Sequence, residues 1–356
     1  MILAKTPLRL GLLGGGSDIP SYYMQDSKSG MVINAAIDKY VYVLVRKRHD
    51  DYIYLKYSQN EIVHKSEIDA IQHDFIRETL KYLQISEGLE IICFADVPTT
   101  GLGLGSSSSF LVGLLNALHT LYGDNVSKET LAEEACYIEI ELCNKPIGKQ
   151  DQYIAALGGL KCFEFKKNMH DQKEDLDDWG KKDFVTYSDI FTDKNYIKEF
   201  SNYIMMFYTG ITRESKDILT EQNKNAENIT LFMDKNVELT KELLYKFRNS
   251  LSDNFNFVGE YVKNNWEIKK NFASNISNQK IDDLIDITYS GGAIGSKITG
   301  AGRGGFIVSI VAPYNRLKLK FTMGKQEITE MPVQIDLYGT RIILNIEENF
   351  VWKSTQ

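Results

Sequence analysis

The chain has 356 residues, 43% hydrophobic and 25% charged, with a formal net charge of −7. That length suits two domains of about 100–200 residues each, and the mild acidity excludes a broad nucleic-acid-binding face, which needs clustered Lys and Arg. No apolar run approaches the roughly 18–20 residues of a membrane span, and the start, Met1-Ile2-Leu3-Ala4-Lys5, lacks a signal-peptide layout. The four cysteines form no CxxC pair and the five histidines no zinc spacing. A reduced, cytoplasmic protein with no membrane and no nucleic-acid partner is expected.

Residues 2–13 read as a strand that runs into Gly14-Gly15-Gly16-Ser17-Asp18. Met31 to Val45, rich in Val, Ile and Tyr, reads as one or two strands, and Asp51 to Tyr57 as a weaker one. Glu67 to Leu83 places Ile68, Ile71, Phe75, Leu80 and Leu83 near helical spacing. A strand over 89–95 follows, then a helix to about Tyr122 and a second from the N-cap Ser127 to about Leu142. Pro146 and Gly148 mark a loop before a short helix that begins near Asp151 and stops at Gly158-Gly159. Leu160 to Phe165 resumes a strand. The charged stretch 166–183 reads as a solvated connection, which sets the expected domains at 1–185 and 186–356.

Tyr203 to Tyr208 is expected as a strand, 212–271 as mostly helical with breaks near Ser252-Asp253 and Gly259, and Ile281 to Tyr289 as a helix stopped by Gly291-Gly292. A second glycine-rich turn, Lys297 to Gly305, leads into a strand. Pro313 to Met323 reads as a helix, and 333–337 and 341–344 as closing strands. Strands and helices mix without a regular βαβ alternation, so the fold class is α+β.

The stretch Gly101-Leu102-Gly103-Leu104-Gly105-Ser106-Ser107-Ser108-Ser109 sits between a strand and a buried helix. Its glycines let backbone N–H groups approach a ligand, and the helix start adds unpaired donors and partial positive charge. The serines add hydroxyls for phosphate oxygens or a Mg²⁺ ion. The combination reads as a phosphate cradle. A Gly/Ser turn with a serine N-cap is the plain alternative.

Three glycine-bearing segments, 14–18, 101–109 and 300–305, then stand in order. Together they resemble the GHMP kinase superfamily, named for galactokinase, homoserine kinase, mevalonate kinase and phosphomevalonate kinase. Pro7-Leu8-Arg9-Leu10-Gly11-Leu12-Leu13-Gly14-Gly15-Gly16-Ser17-Asp18 resembles the first motif, with Gly15-Gly16 in place of a Glu-His pair. Gly103-Leu104-Gly105-Ser106-Ser107 resembles the second, although Pro98 stands one residue further upstream than usual. Lys297 to Gly305 resembles the third, with Arg303 replacing a glycine.

The resemblance implies a two-domain α+β fold, with a ribosomal-protein-S5-like N-terminal domain and a ferredoxin-like C-terminal one. It also implies ATP and Mg²⁺ as cofactors. Gly101, Gly103, Leu104, Gly105 and Ser106 to Ser109 would hold ATP, and Ser107 with Glu139 the metal. Glu141 is the rival carboxylate, about 160° further round a regular helix. Asp151 would face the acceptor hydroxyl and Arg9 would orient it. Asp18, Gly15, Gly16, Lys149, Gly300, Ala301, Gly302 and Arg303 would surround the substrate, Arg303 either supporting an anion or pointing to solvent.

Gly148-Lys149-Gln150-Asp151-Gln152-Tyr153 and Gly14-Gly15-Gly16-Ser17-Asp18-Ile19-Pro20-Ser21-Tyr22 bring the chain nearest the D-glycero-D-manno-heptose 7-phosphate kinases, with Ile147 where that branch often has Gly. That branch phosphorylates the anomeric hydroxyl of a sugar already carrying a phosphate, which Lys149 and Lys5 would hold unless they are ordinary surface lysines. Another acceptor (fucose, galactose or mevalonate) and a catalytically silent sugar-binding regulator are the alternatives. A homodimer is compatible with the resemblance. The adenine pocket is placed only loosely, within 50–80.

Overall fold

A long strand bent across two partners organises the molecule. The computed structural model describes residues 1–98, 101–167, 183–211, 226–249, 254–273 and 276–346. The elements, in chain order, begin with β1 (Ile2–Leu13), α1 (Pro20–Tyr23), β2 (Ser29–Lys47), β3 (Tyr52–Lys56) and β4 (Asn60–His64). They continue with α2 (Asp74–Tyr82), β5 (Leu89–Ala95), α3 (Ser106–Tyr122), α4 (Lys128–Cys136), α5 (Gln150–Leu157), β6 (Leu160–Lys167), β7 (Asp183–Asp189), α6 (Lys194–Ser201) and β8 (Ile204–Tyr208). The remainder are α7 (Ala226–Asn249), α8 (Asn256–Lys269), α9 (Gln279–Ser290), β9 (Ala293–Ile298), β10 (Phe306–Val311), α10 (Arg316–Gly324), β11 (Glu330–Met331) and β12 (Arg341–Asn345).

β2 pairs along one edge with β1. On its other edge residues 41–47 pair with β5, and residues 29–35 with β6. The first sheet therefore has eight strands, in the order β12-β1-β2-β5-β3-β4, with β6 and β7 attached through β2. Only β3 with β5 is parallel among its described pairs. α3 lies against β1 and β2, and its Leu111, Val112, Leu114, Leu115 and Leu118 are fully buried. A helix apolar on every side is what a position beneath a sheet demands. The second sheet runs β11-β8-β10-β9, with α8 packed on β9. Among the described residues no helix is long and apolar enough to cross a membrane.

Several expectations change. Gly259 does not break the helix but lies inside α8, where its carbonyl would meet a β-carbon on Gly295 at 1.8 Å. Glycine at both positions lets α8 press onto β9, so close approach and not chain breaking explains it. Glu67 to Leu83 is two pieces, a 3₁₀ turn at Ile68–Ala70 and then α2. The Glu61 carboxylate takes the N–H groups of Gln72 (2.7 Å) and His73 (3.3 Å), which holds the intervening backbone out of the helix.

Residues 333–337 form no strand. Asp38 holds Gln334 through its backbone N–H (2.9 Å) and its carboxylate (2.8 Å), leaving one isolated bridge between Ile37 and Ile335. β4, β7 and α6 were not foreseen. The expected boundary at 185/186 falls inside β7, which extends the first sheet, and β12 returns from the C-terminal part to the edge of β1. The expected connection at 168–182, the helix expected over 212–225 and the break at 252–253 lie outside the described residues.

Candidate active site

β1 delivers Arg9 and then turns at Gly14. In the turn the Ser17 hydroxyl donates to the Gly14 carbonyl (2.8 Å) and accepts from the Met31 N–H (3.0 Å), which ties the loop to β2. Asp18 is consequently buried, at 2% exposure. It accepts from the Gly16 N–H (3.0 Å), the Gln150 N–H (3.2 Å) and the Gln150 side-chain amide (2.9 Å). Burial, then the nearby charge of Asp151, raises its carboxyl above the usual carboxylate range, and the two backbone donors oppose the rise.

The loop before α3 packs directly on β1. Gly105 stands at the helix entrance with φ 72°, and a β-carbon there would lie 2.9 Å from the Arg9 Cγ and 3.1 Å from an Asp151 oxygen. Glycine thus supplies both the left-handed turn and the room for the charged pair below it. The first backbone bond into α3 is Ser109 N–H to Gly105 carbonyl, and the helix start ahead of it lines the cavity. Partial positive charge at that end suits an anion.

Glu139 faces these serines. α4 runs on into a π-helical turn at Tyr137–Leu142, a widening that often accompanies a functional residue. It buries Glu139 at 2% exposure and leaves Glu141 at the surface. The Glu139 carboxylate accepts from Ser107 Oγ (3.1 Å), Ser108 Oγ (2.7 Å) and Gln152 Nε2 (2.8 Å). Burial lifts its carboxyl to about 7, against the downward pull of the Ser108 and Gln152 bonds, with the Asp151 charge adding to the rise. Serine hydroxyls beside one carboxylate are hard-oxygen donors and few in number. Mg²⁺ accepts such a set, since it keeps waters and shares phosphate oxygens. Among the described residues no group of three His, Cys, Asp or Glu side chains could hold a metal.

α5 carries Asp151 in its first turn. The carboxylate takes a bidentate grip from Arg9, Nε and Nη2 each at 2.6 Å, while Arg9 Nη1 donates to the Gly103 carbonyl at 2.5 Å. Fork-to-fork pairing of this kind fixes both direction and distance. From the third segment, Lys297 on β9 is buried and donates to the Leu12 carbonyl (2.5 Å) and to Asn265 Oδ1 (2.7 Å). Gly300 meets Gly103 backbone to backbone, so the loops at 101–105 and 299–301 close the roof together.

These groups surround one cavity of about 500 Å³, a size usual for small-molecule sites. Arg9, Gly15, Gly16, Asp18, Gly101, Gly103, Leu104, Gly105, Ser106, Ser107, Ser108, Glu139, Asp151, Gly300 and Ala301 all line it. Asp74 and Phe75, from the region expected to hold a base, line it too, and Lys145 pairs with Asp74 at 2.5 Å. Five expected contacts stand elsewhere. Ser109 turns back to donate to the Pro7 carbonyl at 2.8 Å. Lys149 is buried behind α5, with Nζ at 2.6 and 2.7 Å from the two Asp183 oxygens, of which Oδ2 also accepts from the Tyr23 hydroxyl. Gly302 packs on Ile276, Arg303 is exposed, and Lys5 lies over the Tyr40 ring at 3.7 Å.

Gln150, Gln152, Asn265, Lys269 and Lys297 were missed as site residues. Gln150 and Gln152 flank Asp151 in sequence, and Lys297 opens the third motif, so proximity was their signal. Asn265 and Lys269 are four apart on α8, one face of a helix, but they sit within a run of polar residues that hides the pattern.

A glycine- and serine-rich helix start and an Arg-held aspartate share one cavity, an arrangement that suits phosphoryl transfer. The sequence profile of the GHMP kinases N terminal domain matches residues 70–159, and that of the GHMP kinases C terminal matches residues 243–319. A D-glycero-alpha-D-manno-heptose 7-phosphate kinase of Campylobacter jejuni is 30% identical over 348 residues, which cover 92% of this chain and 94% of that protein. A galactokinase of Pyrococcus furiosus is 26% identical, covering 87% and 89%. The crystal structure of a D-glycero-D-manno-heptose 1-phosphate kinase from Bacteroides thetaiotaomicron superposes with a TM-score of 0.75 at 22% identity, over 98% of this chain and 100% of that one. The chain belongs to the GHMP kinases and is an ATP-dependent sugar kinase.

Proposed function

We propose that the protein transfers the γ-phosphoryl group of ATP to the anomeric (C1) hydroxyl of a heptose 7-phosphate, feeding synthesis of nucleotide-activated heptose for surface polysaccharide. The observation that carries the chemistry is the Arg9–Asp151 pair, gripped at 2.6 Å on both oxygens and covered by the Gly103 carbonyl. The relative named as a heptose 7-phosphate kinase, aligned over nearly the whole chain, supports the acceptor.

In this reading the triphosphate lies on the N–H groups and hydroxyls of Ser106 to Ser108. Asp18 and Gln150 hold sugar hydroxyls, and Asp151 receives the proton of the attacking hydroxyl. Arg9 fixes the Asp151 carboxylate so that the hydroxyl arrives in line with the phosphoryl group. Ser107 and Glu139 would hold Mg²⁺, which neutralises charge on the phosphates when bound. The loops at 101–105 and 299–301 roof the pocket in which the transfer takes place.

A panel of acceptors tests the reading by ATP consumption: heptose 7-phosphate, the unphosphorylated heptose, fucose, galactose and mevalonate. Turnover with heptose 7-phosphate well above the others is expected. Turnover with mevalonate, or with an unphosphorylated sugar in preference, would move the acceptor elsewhere in the family.

A further inference from the structure

The cations of the cavity differ in what holds them. Arg9 is paired with Asp151 and Lys145 with Asp74. Lys297, at 4% exposure, is bonded instead to two neutral oxygens, the Leu12 carbonyl and Asn265 Oδ1. Lys269 lines the same wall and donates to the Gly300 carbonyl. For Lys297, which has no carboxylate partner among the described residues, removal of an ammonium from water is costly unless an anion arrives to join it.

The wall around Lys297 is a built one. Asn265, itself buried, donates its amide to Asn236 Oδ1 at 2.6 Å, and Asn236 donates to the Gly15 carbonyl at 3.3 Å. A chain of amides thus ties α7, α8 and β9 to the loop that carries Asp18. Position along β1 supplies the scale. Leu12 is three residues beyond Arg9, about 10 Å at roughly 3.4 Å per residue. Between them Gly11 faces Gln150, where a β-carbon would lie 3.5 Å from the side-chain amide. The cavity floor therefore reads, in order, Asp151 with Arg9, then Gln150 with Asp18, then Lys297. That run spans the reach of a heptose from its anomeric oxygen to a phosphate on its last carbon.

We infer that Lys297 and Lys269 form the subsite for the phosphate already present on the acceptor, so that preference for a phosphorylated sugar resides in β9 and α8. The inference rests on the proposed acceptor class and replaces Lys149, Lys5 and Arg303, all of which lie away from the cavity. Burial, then the positive charges of Lys269 and Arg9, hold the Lys297 ammonium well below its ordinary range. A phosphate beside it restores the charged form, which couples binding to proton uptake.

The test is the ratio of kcat/KM for heptose 7-phosphate to that for the unphosphorylated heptose, measured with ATP and Mg²⁺. It is made in wild type, Lys269→Gln and Lys297→Met, with Lys297→Arg as a conservative control should Lys297→Met fold poorly. The expected result is a ratio at least tenfold lower in Lys269→Gln and Lys297→Met, carried by KM for the sugar phosphate and not by KM for ATP, with Lys297→Arg recovering part of it. An unchanged ratio in folded Lys269→Gln together with Lys297→Met or Lys297→Arg, or a loss confined to KM for ATP, overturns the subsite and leaves the acceptor reading intact. A wild-type ratio near one removes both.

Discussion

Glu139 and Lys297, an acid and a base, are both buried in the lining of one cavity, and among the described residues the hydrogen bonds of both are to neutral groups. Between them Arg9 and Asp151 satisfy each other. The central pair is complete before any ligand binds, and its geometry is fixed in advance. The two flanking charges are incomplete, one short of a cation and the other short of an anion. On the proposed reading the difference says where ligand charge belongs: metal and nucleotide phosphates toward α3 and the π-helical turn, acceptor phosphate toward α8 and β9, and the transferred group between them.

The largest effect comes from breaking the completed centre. Asp151→Asn keeps the shape but removes the proton acceptor, so kcat at saturating ATP falls by about 10²–10⁴. A fall below about tenfold would leave Asp151 as a positioning group only.

Glu139→Gln addresses the cation-seeking wall. The folded carboxyl titrates near about 7 against an ordinary 4.5, so between those values the native state binds more protons than the unfolded chain. Its contribution to the stability of metal-free protein is therefore present at low pH and lost as pH rises through about 7, by on the order of 3 kcal/mol. Unfolding titrations of wild type and Glu139→Gln should diverge across that range, with the variant gaining relative stability at the upper end. Parallel curves would mean that the serines and Gln152 already compensate the charge.

Lys297→Met addresses the other wall, with the opposite sign. The folded ammonium titrates well below 10.5, so the unfolded chain binds more protons and wild-type stability rises with pH toward that value. The variant should lack this rise. An alkaline limb identical in both proteins contradicts the assignment. The smallest effect is expected at Arg303→Ala. The side chain is exposed and away from the cavity, so KM for either substrate should change less than about twofold. A larger change would bring the third loop back into contact with substrate.

The sequence carried the centre of the site better than its flanks. Gly103 to Ser108, Asp151, Arg9 and Asp18 announce themselves because backbone approach and fixed charge demand particular residues at fixed spacing. β1, β2, β5 and α3 were legible for a similar reason, as their apolar runs match their buried faces. Glu139 was ambiguous because a regular helix sets it about 160° from Glu141, and the π-helical turn that decides between them leaves no sequence signature. Lys149 was expected as a ligand because it stands in the same motif as Asp151, but Asp183, on a strand that the charged stretch before it concealed, draws it behind α5. β4 went unseen because Ile62 is exposed while Val63 is buried, which leaves too few inward residues to show alternation. Lys269 and Asn265 emerge only when α8 folds over the cavity.

The measurement that reaches the central claim most directly is phosphorus NMR of the product formed from heptose 7-phosphate, ATP and Mg²⁺. The account predicts a second phosphate on the same sugar, coupled to the anomeric proton, with the original phosphate signal retained. A new phosphate coupled to any other sugar proton, or no sugar product while ATP is consumed, would contradict it.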